Sequence, residues 1–150
     1  MKNNYNVTAN RLAELTFSLL GSCQEKELRL AQSYGLTSVE FRCLRLFGLN
    51  EPMNNKSIAE KMNLSPSRLT RIIDGLVNKG YVVRNINKID RRNMQLDLSE
   101  KGKQLVGQLN KAYVEVHKEI LENIDESQHQ PLLNAMSDMM EALEKWISKG

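Results

Sequence analysis

The chain has 150 residues, of which 41% are hydrophobic, 26% charged and 5% aromatic. This size and composition are those of one globular domain that buries a core without disulfides or a structural metal, and they exclude a fibrous or disordered chain. No apolar run approaches the roughly 20 residues that cross a bilayer, and the polar amino terminus lacks a signal-peptide apolar block. We therefore expect a cytoplasmic protein with no membrane partner. The net charge is only +3, but the segment from Pro66 to Arg92 holds seven Lys or Arg against two Asp, which favours a polyanionic partner.

The first predicted element is a long helix from about Thr8 to Tyr34. Apolar residues recur at helical spacing on two sides of this segment, which indicates two packing partners. Gly35 is the predicted stop. Thr37 with Glu40 three residues later is typical of a capping box and predicts a second helix through Gly48.

A turn-like break at Asn50–Met53 precedes a predicted helix-turn-helix. Its short first helix runs from about Lys56 to Met62. Its second helix has the clearest boundaries in the chain, with Ser65 as N-cap, Pro66 in the first helical position and Gly80 as the stop. Spacings of three and four residues predict its buried face: Leu69, Ile72, Ile73, Leu76 and Val77. The outer face is then made of Ser67, Arg68, Thr70, Arg71, Asp74 and Asn78.

After Gly80 the apolar pattern changes from helical to alternating. The segment Tyr81–Ile86 is β-prone, and Met94, Leu96 and Leu98 alternate with polar residues. The charged residues 87–93 lie between these two segments. The pattern therefore predicts a β-hairpin with a basic tip.

Two further helices are predicted, one that begins at Ser99 or Glu100 and one that ends at about Ser148. Asp125 followed by Gln128 is interpreted as a second capping box between them. The predicted fold is mainly α with a small β-hairpin. Within a single domain of residues 1–150, we expect a winged helix-turn-helix lobe at about 37–99 and dimerisation helices at about 8–34 and 100–148.

The order of short helix, tight turn, capped helix and hairpin is that of a winged helix-turn-helix, which binds double-stranded DNA. The amino end of the second helix enters the major groove in such docking, so Arg68 and Arg71 are predicted to read base edges. Hydroxyl groups near the same helix end are predicted to contact phosphates or bases: Ser65, Ser67 and Thr70. The alternative is that this face is only a solvated helix surface.

The hairpin tip is predicted to be a second DNA-binding element. Lys88, Arg91 and Arg92 would be held at the end of a two-stranded lever, where an arginine can enter a narrow minor groove. Asp90 is predicted to pair with Arg91 or Arg92 and stiffen the loop, since a carboxylate that faced phosphate would be repelled. The alternative is a charged turn that only keeps the hairpin soluble.

At this point a family resemblance becomes specific. Residues 90–102, Asp-Arg-Arg-Asn-Met-Gln-Leu-Asp-Leu-Ser-Glu-Lys-Gly, resemble the wing signature of the MarR (multiple antibiotic resistance regulator) family. That signature runs Asp, any residue, Arg, an alternating strand into Leu-Thr, two residues and Gly. Upstream, Ser57–Ala59, Ser65–Ser67 and Gly75–Tyr81 are similar to the family's helix-turn-helix. The departures are Ser99 in place of the commoner Thr and an apolar Ile89 in the wing.

The resemblance covers nearly the whole chain and implies a transcriptional regulator. It implies that Arg92 or its neighbour Arg91 probes the minor groove, that Asp90 braces the wing, and that Ser65–Arg71 supplies the recognition surface. It also implies a small apolar or phenolic effector between the dimer base and the winged lobe, or oxidant sensing through a cysteine. Cys23 and Cys43 are the only redox candidates, and their apolar helical positions favour inert, buried thiols.

The first helix and the last two helices carry more apolar surface than one small lobe can cover, which predicts a homodimer. A two-fold axis would place two half-sites of a palindromic operator roughly 34 to 36 Å apart. The alternative is a monomer in which the terminal helices pack on each other.

No phosphate-binding glycine loop, nucleophile elbow or cluster of metal ligands is present in the sequence. We therefore expect no enzymatic activity, no cofactor and no metal, and we expect His117 to pack or cap rather than bind a metal. The predicted function is a DNA-binding repressor that acts as a homodimer and is released by a small ligand or oxidant. The alternative is a winged-helix module for protein–protein interaction, although the consecutive arginines at the tip argue against it.

Overall fold

The computed structural model describes residues 2–47, 53–85 and 95–150. The predicted wing-tip residues Lys88, Asp90, Arg91 and Arg92 lie outside these ranges. The elements in chain order are α1 (Lys2–Ser33), α2 (Ser38–Leu46), β1 (Met53–Asn54), α3 (Asn55–Met62), α4 (Pro66–Asn78), β2 (Val82–Asn85), β3 (Gln95–Leu98), α5 (Glu100–Glu122), a 3₁₀ turn (Glu126–Gln128) and α6 (His129–Ser148). Of the helices in the described ranges, none has the length and apolarity that a membrane span requires.

Most of the predicted helix boundaries are confirmed. Thr37 and Glu40 form the capping box of α2, with the Glu40 N–H donating to Thr37 Oγ1 at 3.1 Å and the Thr37 N–H donating to Glu40 Oε1 at 2.9 Å. Gly35 ends the first helical segment with a φ of 67°, a left-handed conformation that glycine adopts without strain. Helix α1, however, begins at Lys2 instead of Thr8.

The predicted hairpin is confirmed, and it belongs to a three-stranded antiparallel sheet in the order β1-β3-β2. In this sheet Val82 lies opposite Leu98, and Met53 lies opposite Leu96. The sequence analysis placed Met53 in a turn and missed β1. A two-residue strand shows no alternation, so only its pairing with β3 defines it.

One hydrophobic core lies between the end of α1, α2, α3, α4, the sheet and the first half of α5. Its buried apolar residues are Ala31, Leu36, Phe41, Cys43, Leu44, Phe47, Ile58, Leu69, Ile73, Leu76, Val82, Leu96, Leu98, Leu105, Val106 and Leu109. Three of them come from α4 at the spacing that the sequence predicted. This burial fixes which side of α4 faces outwards.

The described residues form two compact units, Met1–Asn110 and Lys111–Gly150, and the division falls within α5. The core described above lies in the first unit. In the second unit, α6 has no buried residue, although large apolar side chains recur along it. The predicted division into a winged lobe and dimerisation helices stays a prediction.

The predicted capping box at Asp125 and Gln128 is wrong. The Asp125 side chain makes no capping hydrogen bond, and the segment is a 3₁₀ turn in which the Gln128 N–H donates to the Asp125 carbonyl at 2.8 Å. The end of α5 is covered instead by His129, whose Nε2 lies 3.0 Å from the Leu121 carbonyl oxygen and 2.9 Å from that of Ile124. A side chain from the following helix thus contacts carbonyls at the end of α5, of which that of Leu121 also accepts the Ile124 N–H at 3.0 Å.

Candidate nucleic-acid interface

Helix α4 is fixed by local signals at its start and by burial along one side. The Ser65 hydroxyl oxygen accepts a hydrogen bond from the Arg68 N–H at 3.4 Å, and Pro66 lies in the first turn, where its missing N–H costs nothing. Leu69, Ile73 and Leu76 are buried. The remaining side of the helix therefore has to face outwards.

All five predicted recognition residues of α4 and its N-cap are exposed: Ser65, Ser67, Arg68, Thr70 and Arg71. The Thr70 hydroxyl donates to the Pro66 carbonyl at 2.9 Å, and the hydroxyl oxygens of Ser65 and Ser67 are 3.3 Å apart. The hydroxyl groups thus have local partners, and that of Ser65 also caps the helix.

The two arginines of this face differ from the hydroxyl groups in their contacts. Within residues 2–47, 53–85 and 95–150, neither Arg68 nor Arg71 forms an ion pair with a carboxylate. Both guanidinium groups lie in the amino-terminal half of α4, the end at which the helix dipole and unpaired backbone N–H groups attract an anion. This end can therefore bind a polyanion without first breaking an ion pair to a carboxylate of the described residues.

Asp74 lies on the same outer face but has an internal partner. Its carboxylate pairs with Arg84 of β2, so this ion pair connects α4 to the hairpin. Across the hairpin, the Asn85 amide donates to the Asp97 carboxylate. Neither pair was predicted from the sequence, because no local periodicity connects residues ten or twelve positions apart.

The carboxyl end of α4 is held by polar contacts. The Lys79 ammonium donates to Glu40 Oε1 at 2.7 Å and to the Gly35 carbonyl at 3.0 Å. Glu40 is only 5% exposed. Burial by itself raises the pKa of Glu40, but the hydrogen bonds from Lys79 and the Thr37 N–H, with the Lys79 charge, outweigh it and lower the pKa below the usual 4.5. The carboxylate is therefore kept ionised.

The start of α5 packs on the residues that follow α4. The Ser99 hydroxyl donates to the Gly80 carbonyl at 2.5 Å and accepts from the Gly102 N–H at 3.0 Å. The Lys101 ammonium donates to the Lys79 carbonyl at 3.0 Å and lies 4.9 Å from the centroid of the Tyr81 ring. A side chain at Gly102 would overlap the Tyr81 backbone carbonyl. The close approach of α5 to the hairpin base requires glycine there.

The two cysteines differ in accessibility. Cys43 is fully buried, and burial, with a smaller contribution from the nearby Glu40, raises the pKa of its thiol to about 12. It is therefore held as a thiol, which favours the inert interpretation. Cys23 is half-buried, and the Lys26 ammonium lies 3.9 Å from its Sγ.

The described residues show how His117 packs and whether they include a group of metal ligands. His117 packs on Tyr113 with ring centroids 4.5 Å apart, and its Nδ1 lies 2.6 Å from the Tyr113 carbonyl oxygen, which confirms its packing role. In the part of the chain that the structure describes, no three His, Cys, Asp or Glu residues are grouped to hold a metal ion.

The sequence and the structure both match known regulators. The model of the MarR family matches residues 36–94, the segment with the helix-turn-helix and β2. The HTH-type transcriptional regulator SarZ of Staphylococcus aureus (strain MRSA252) is 30% identical over 125 residues, which are 83% of this chain and 78% of SarZ.

Solved structures share the fold over most of the chain. A MarR transcriptional regulator from Methanosarcina mazei has a TM-score of 0.77 and 25% identity, covering 91% of this chain and 98% of that chain. Streptococcus pneumoniae FabT, crystallised in complex with DNA, has a TM-score of 0.76 and 17% identity, covering 92% of this chain and 99% of FabT. The predicted fold, mainly α with a winged helix-turn-helix, is confirmed. The chain belongs to the MarR family of transcriptional regulators.

Proposed function

We propose that this protein is a sequence-specific regulator that binds double-stranded DNA as a homodimer on a palindromic operator. The observation that carries the proposal is the amino end of α4, where Arg68 and Arg71 are exposed and meet no carboxylate of the described residues. The opposite side of α4 is buried, so the arginines project from a rigid support. FabT, which has the same fold, is bound to DNA in its crystal structure.

Each predicted site residue has a role in this proposal. Arg68 and Arg71 read base edges in the major groove, and a guanidinium is suited to the two acceptors of guanine. The hydroxyl groups of Ser65, Ser67 and Thr70 contact phosphate oxygens near the helix end, which favours anions. Lys88, Arg91 and Arg92 bind in the adjacent minor groove, and Asp90 braces the wing.

Exposed apolar side chains support the homodimer. On α1, Leu12, Leu15 and Leu19 follow helical spacing and are all exposed, and Phe17 is 82% exposed. On α6, Leu133, Met136, Met140, Leu143, Trp146 and Ile147 are exposed as well. Surfaces of this kind on a soluble protein mark interaction sites, and a second copy of the chain supplies the same apolar helices to cover them.

Repression and its relief form the finer part of the proposal. A dimer that occupies an operator blocks transcription from it, and a small apolar or phenolic ligand or an oxidant releases the dimer by favouring a conformation with different wing spacing. Of the two cysteines, only Cys23 is accessible enough for the oxidant route. SarZ is a transcriptional regulator, which is consistent with a chain that performs no catalysis.

A selection of bound sequences from random DNA, followed by footprinting and a salt titration, tests DNA recognition. We expect one enriched, two-fold symmetric sequence with half-sites roughly 34 to 36 Å apart. A plot of the logarithm of the binding constant against the logarithm of salt concentration should be linear, with a slope of about −0.9 for each phosphate contact. No enriched sequence together with flat salt dependence would reject this function and favour the protein-interaction alternative.

Sedimentation analysis tests the homodimer. We expect the wild-type chain to sediment as a dimer and Met140→Glu, which places a charge on the exposed apolar side of α6, to sediment as a monomer. Asn134→Glu is the matched control, since Asn134 is a polar, exposed residue of the same helix. A wild-type chain that stays monomeric at every concentration would contradict the dimer.

A further inference from the structure

We propose that Glu40 and Lys79 are positioning residues for DNA recognition, because their ion pair fixes the orientation of α4 from the end opposite to its reading residues. The inference rests on the proposed function, namely that the amino end of α4 reads DNA. Neither residue was predicted to belong to the site, and three sets of contacts support the role.

The first set joins three elements at one carboxylate. Lys79 directly follows α4, and its ammonium is 2.7 Å from Glu40 Oε1 in α2 and 3.0 Å from the carbonyl oxygen of Gly35, which follows α1. The same Glu40 Oε1 accepts the Thr37 N–H at 2.9 Å and so caps α2. The end of α4 is thus tied to both the end of α1 and the start of α2.

The second contact is the close approach of α4 to this carboxylate. A Cβ atom at Gly75 would lie 3.0 Å from Glu40 Oε2, closer than side-chain carbons normally approach oxygen. Glycine at this position therefore lets the helix pack directly over the carboxylate. Glu40 is buried as a result, and its ion pair with Lys79 is screened less by solvent than a surface pair would be.

The third contact holds the same helix end from the other side. The Lys101 ammonium of α5 donates to the Lys79 carbonyl at 3.0 Å. The backbone of Lys79 is thus held by α5, while its side chain is held by Glu40. A residue in this position resists rotation of α4 about its carboxyl end.

The geometry of a helix shows why this orientation matters for recognition. Arg68 precedes Lys79 by 11 residues, which is roughly 16 Å along a helix at 1.5 Å per residue. A tilt of about 10° at Lys79 would displace Arg68 by about 3 Å, more than a hydrogen bond to a base edge tolerates. The Lys79 ammonium is itself already bonded, so its proposed role is to orient α4 and not to bind phosphate.

The test measures operator and non-specific DNA affinity over a range of salt concentrations for Glu40→Gln, Lys79→Met, the double variant and Lys79→Arg. Glutamine keeps the capping interaction with Thr37 but removes the charge, so Glu40→Gln isolates the ion pair. Circular dichroism and sedimentation confirm that each variant is folded and has the wild-type oligomeric state. Lys103→Met is the matched control, because the Lys103 side chain makes an exposed i,i+3 pair with Glu100 at 3.3 Å.

We expect Glu40→Gln and Lys79→Met each to lower operator affinity about tenfold, and the double variant to lose little more than either single one. Non-specific affinity and the salt slope should stay at their wild-type values, Lys79→Arg should restore most of the loss, and Lys103→Met should stay within about twofold of wild type.

Three results would overturn the inference: unchanged operator affinity, strictly additive losses, or a salt slope reduced by about one, which would make Lys79 a direct phosphate contact. If Lys79→Met fails to fold, the operator affinity and the salt slope of Glu40→Gln decide the question. If the wild-type chain selects no sequence, the proposed function itself fails and the inference with it. If the wild type selects an operator and the variants bind it equally well, only the inference is rejected and the proposed function stands.

Discussion

The two ends of α4 differ in how their polar groups are used. At the amino end, the arginines Arg68 and Arg71 meet no carboxylate of the described residues. At the carboxyl end, Lys79 bonds to Glu40 and Gly35, and Lys101 bonds to the Lys79 carbonyl. Helix α4 is therefore anchored at one end and open to a ligand at the other.

This difference separates stability from binding along a single helix. Substitutions near the carboxyl end should change the free energy of unfolding or the orientation of α4, because they break internal contacts. Substitutions of the exposed arginines should change DNA affinity and leave stability almost untouched, since surface residues without such contacts contribute little to folding. Substitutions can test this separation, beginning with the one that should change the free energy of unfolding most.

The largest effect is expected at the base of the hairpin. Gly102→Ala should lower the free energy of unfolding by about 3 kcal/mol, because the added methyl group would overlap the Tyr81 carbonyl. Urea denaturation measures this loss. Gly107→Ala in the same helix is the matched control; outside the helix's own backbone, no atom of the described residues lies within 4 Å of its added Cβ, so a gain of about 0.5 to 1 kcal/mol is expected. Equal stability of the two variants would refute the close packing at Gly102.

The next effect is on binding alone. Arg71→Ala should weaken operator binding about 10- to 100-fold, the cost of losing a good base contact, and leave the free energy of unfolding within about 0.5 kcal/mol of wild type. Fluorescence anisotropy and urea denaturation measure the two quantities. Arg29→Ala removes the same charge from an exposed i,i+4 pair with Glu25 and should not weaken binding. Unchanged affinity of Arg71→Ala would remove Arg71 from the site.

The N-cap of α4 stabilises the helix and is also proposed to contact DNA, so its substitution tests both roles at one residue. Ser65→Ala should cost about 1 kcal/mol of stability, because the Arg68 N–H loses its acceptor. Ser65→Asp restores the cap and should recover that stability, yet it should bind DNA more weakly than Ser65→Ala because its charge repels phosphate. If Ser65→Asp bound DNA as tightly as wild type, this helix end would not face the phosphate backbone.

The smallest effect is a pH dependence that arises from Glu40. Its pKa is lowered on folding, so its contribution to stability is present above the unfolded pKa of about 4.5 and is lost as pH falls through the folded pKa. The difference in unfolding free energy between wild type and Glu40→Gln should therefore shrink as pH falls from 6 to 3. A difference that stays constant over this range would show that the Glu40 charge does not stabilise the fold.

Local signals made much of the fold predictable. The boundaries of α4 lie where Ser65, Pro66 and Gly80 predicted them, because caps and stops act through neighbouring residues. The apolar pattern placed the start of α1 too late, at about Thr8, whose hydroxyl donates to the Asn4 carbonyl at 2.9 Å inside the helix. The predicted cap at Asp125 was wrong, because the short 3₁₀ turn satisfies the backbone without its side chain.

The part of the site that depends on long-range contacts was not predictable. Glu40 was identified as a capping residue, but its ion pair with Lys79 spans 39 positions in the sequence. The Asp74–Arg84 pair likewise joins a helix to a strand. Gly102 was noted only through a family resemblance, and its packing on Tyr81 gives the physical reason for the glycine.

The most direct test of the open end of α4 compares the sequences that wild type and Arg68→Ala select from random DNA. If Arg68 reads a base edge, the variant should still select a two-fold symmetric site but lose preference at one position in each half-site, with about 1 to 3 kcal/mol less discrimination there. An identical set of selected sequences, with the same preference at every position, would contradict base reading by this residue.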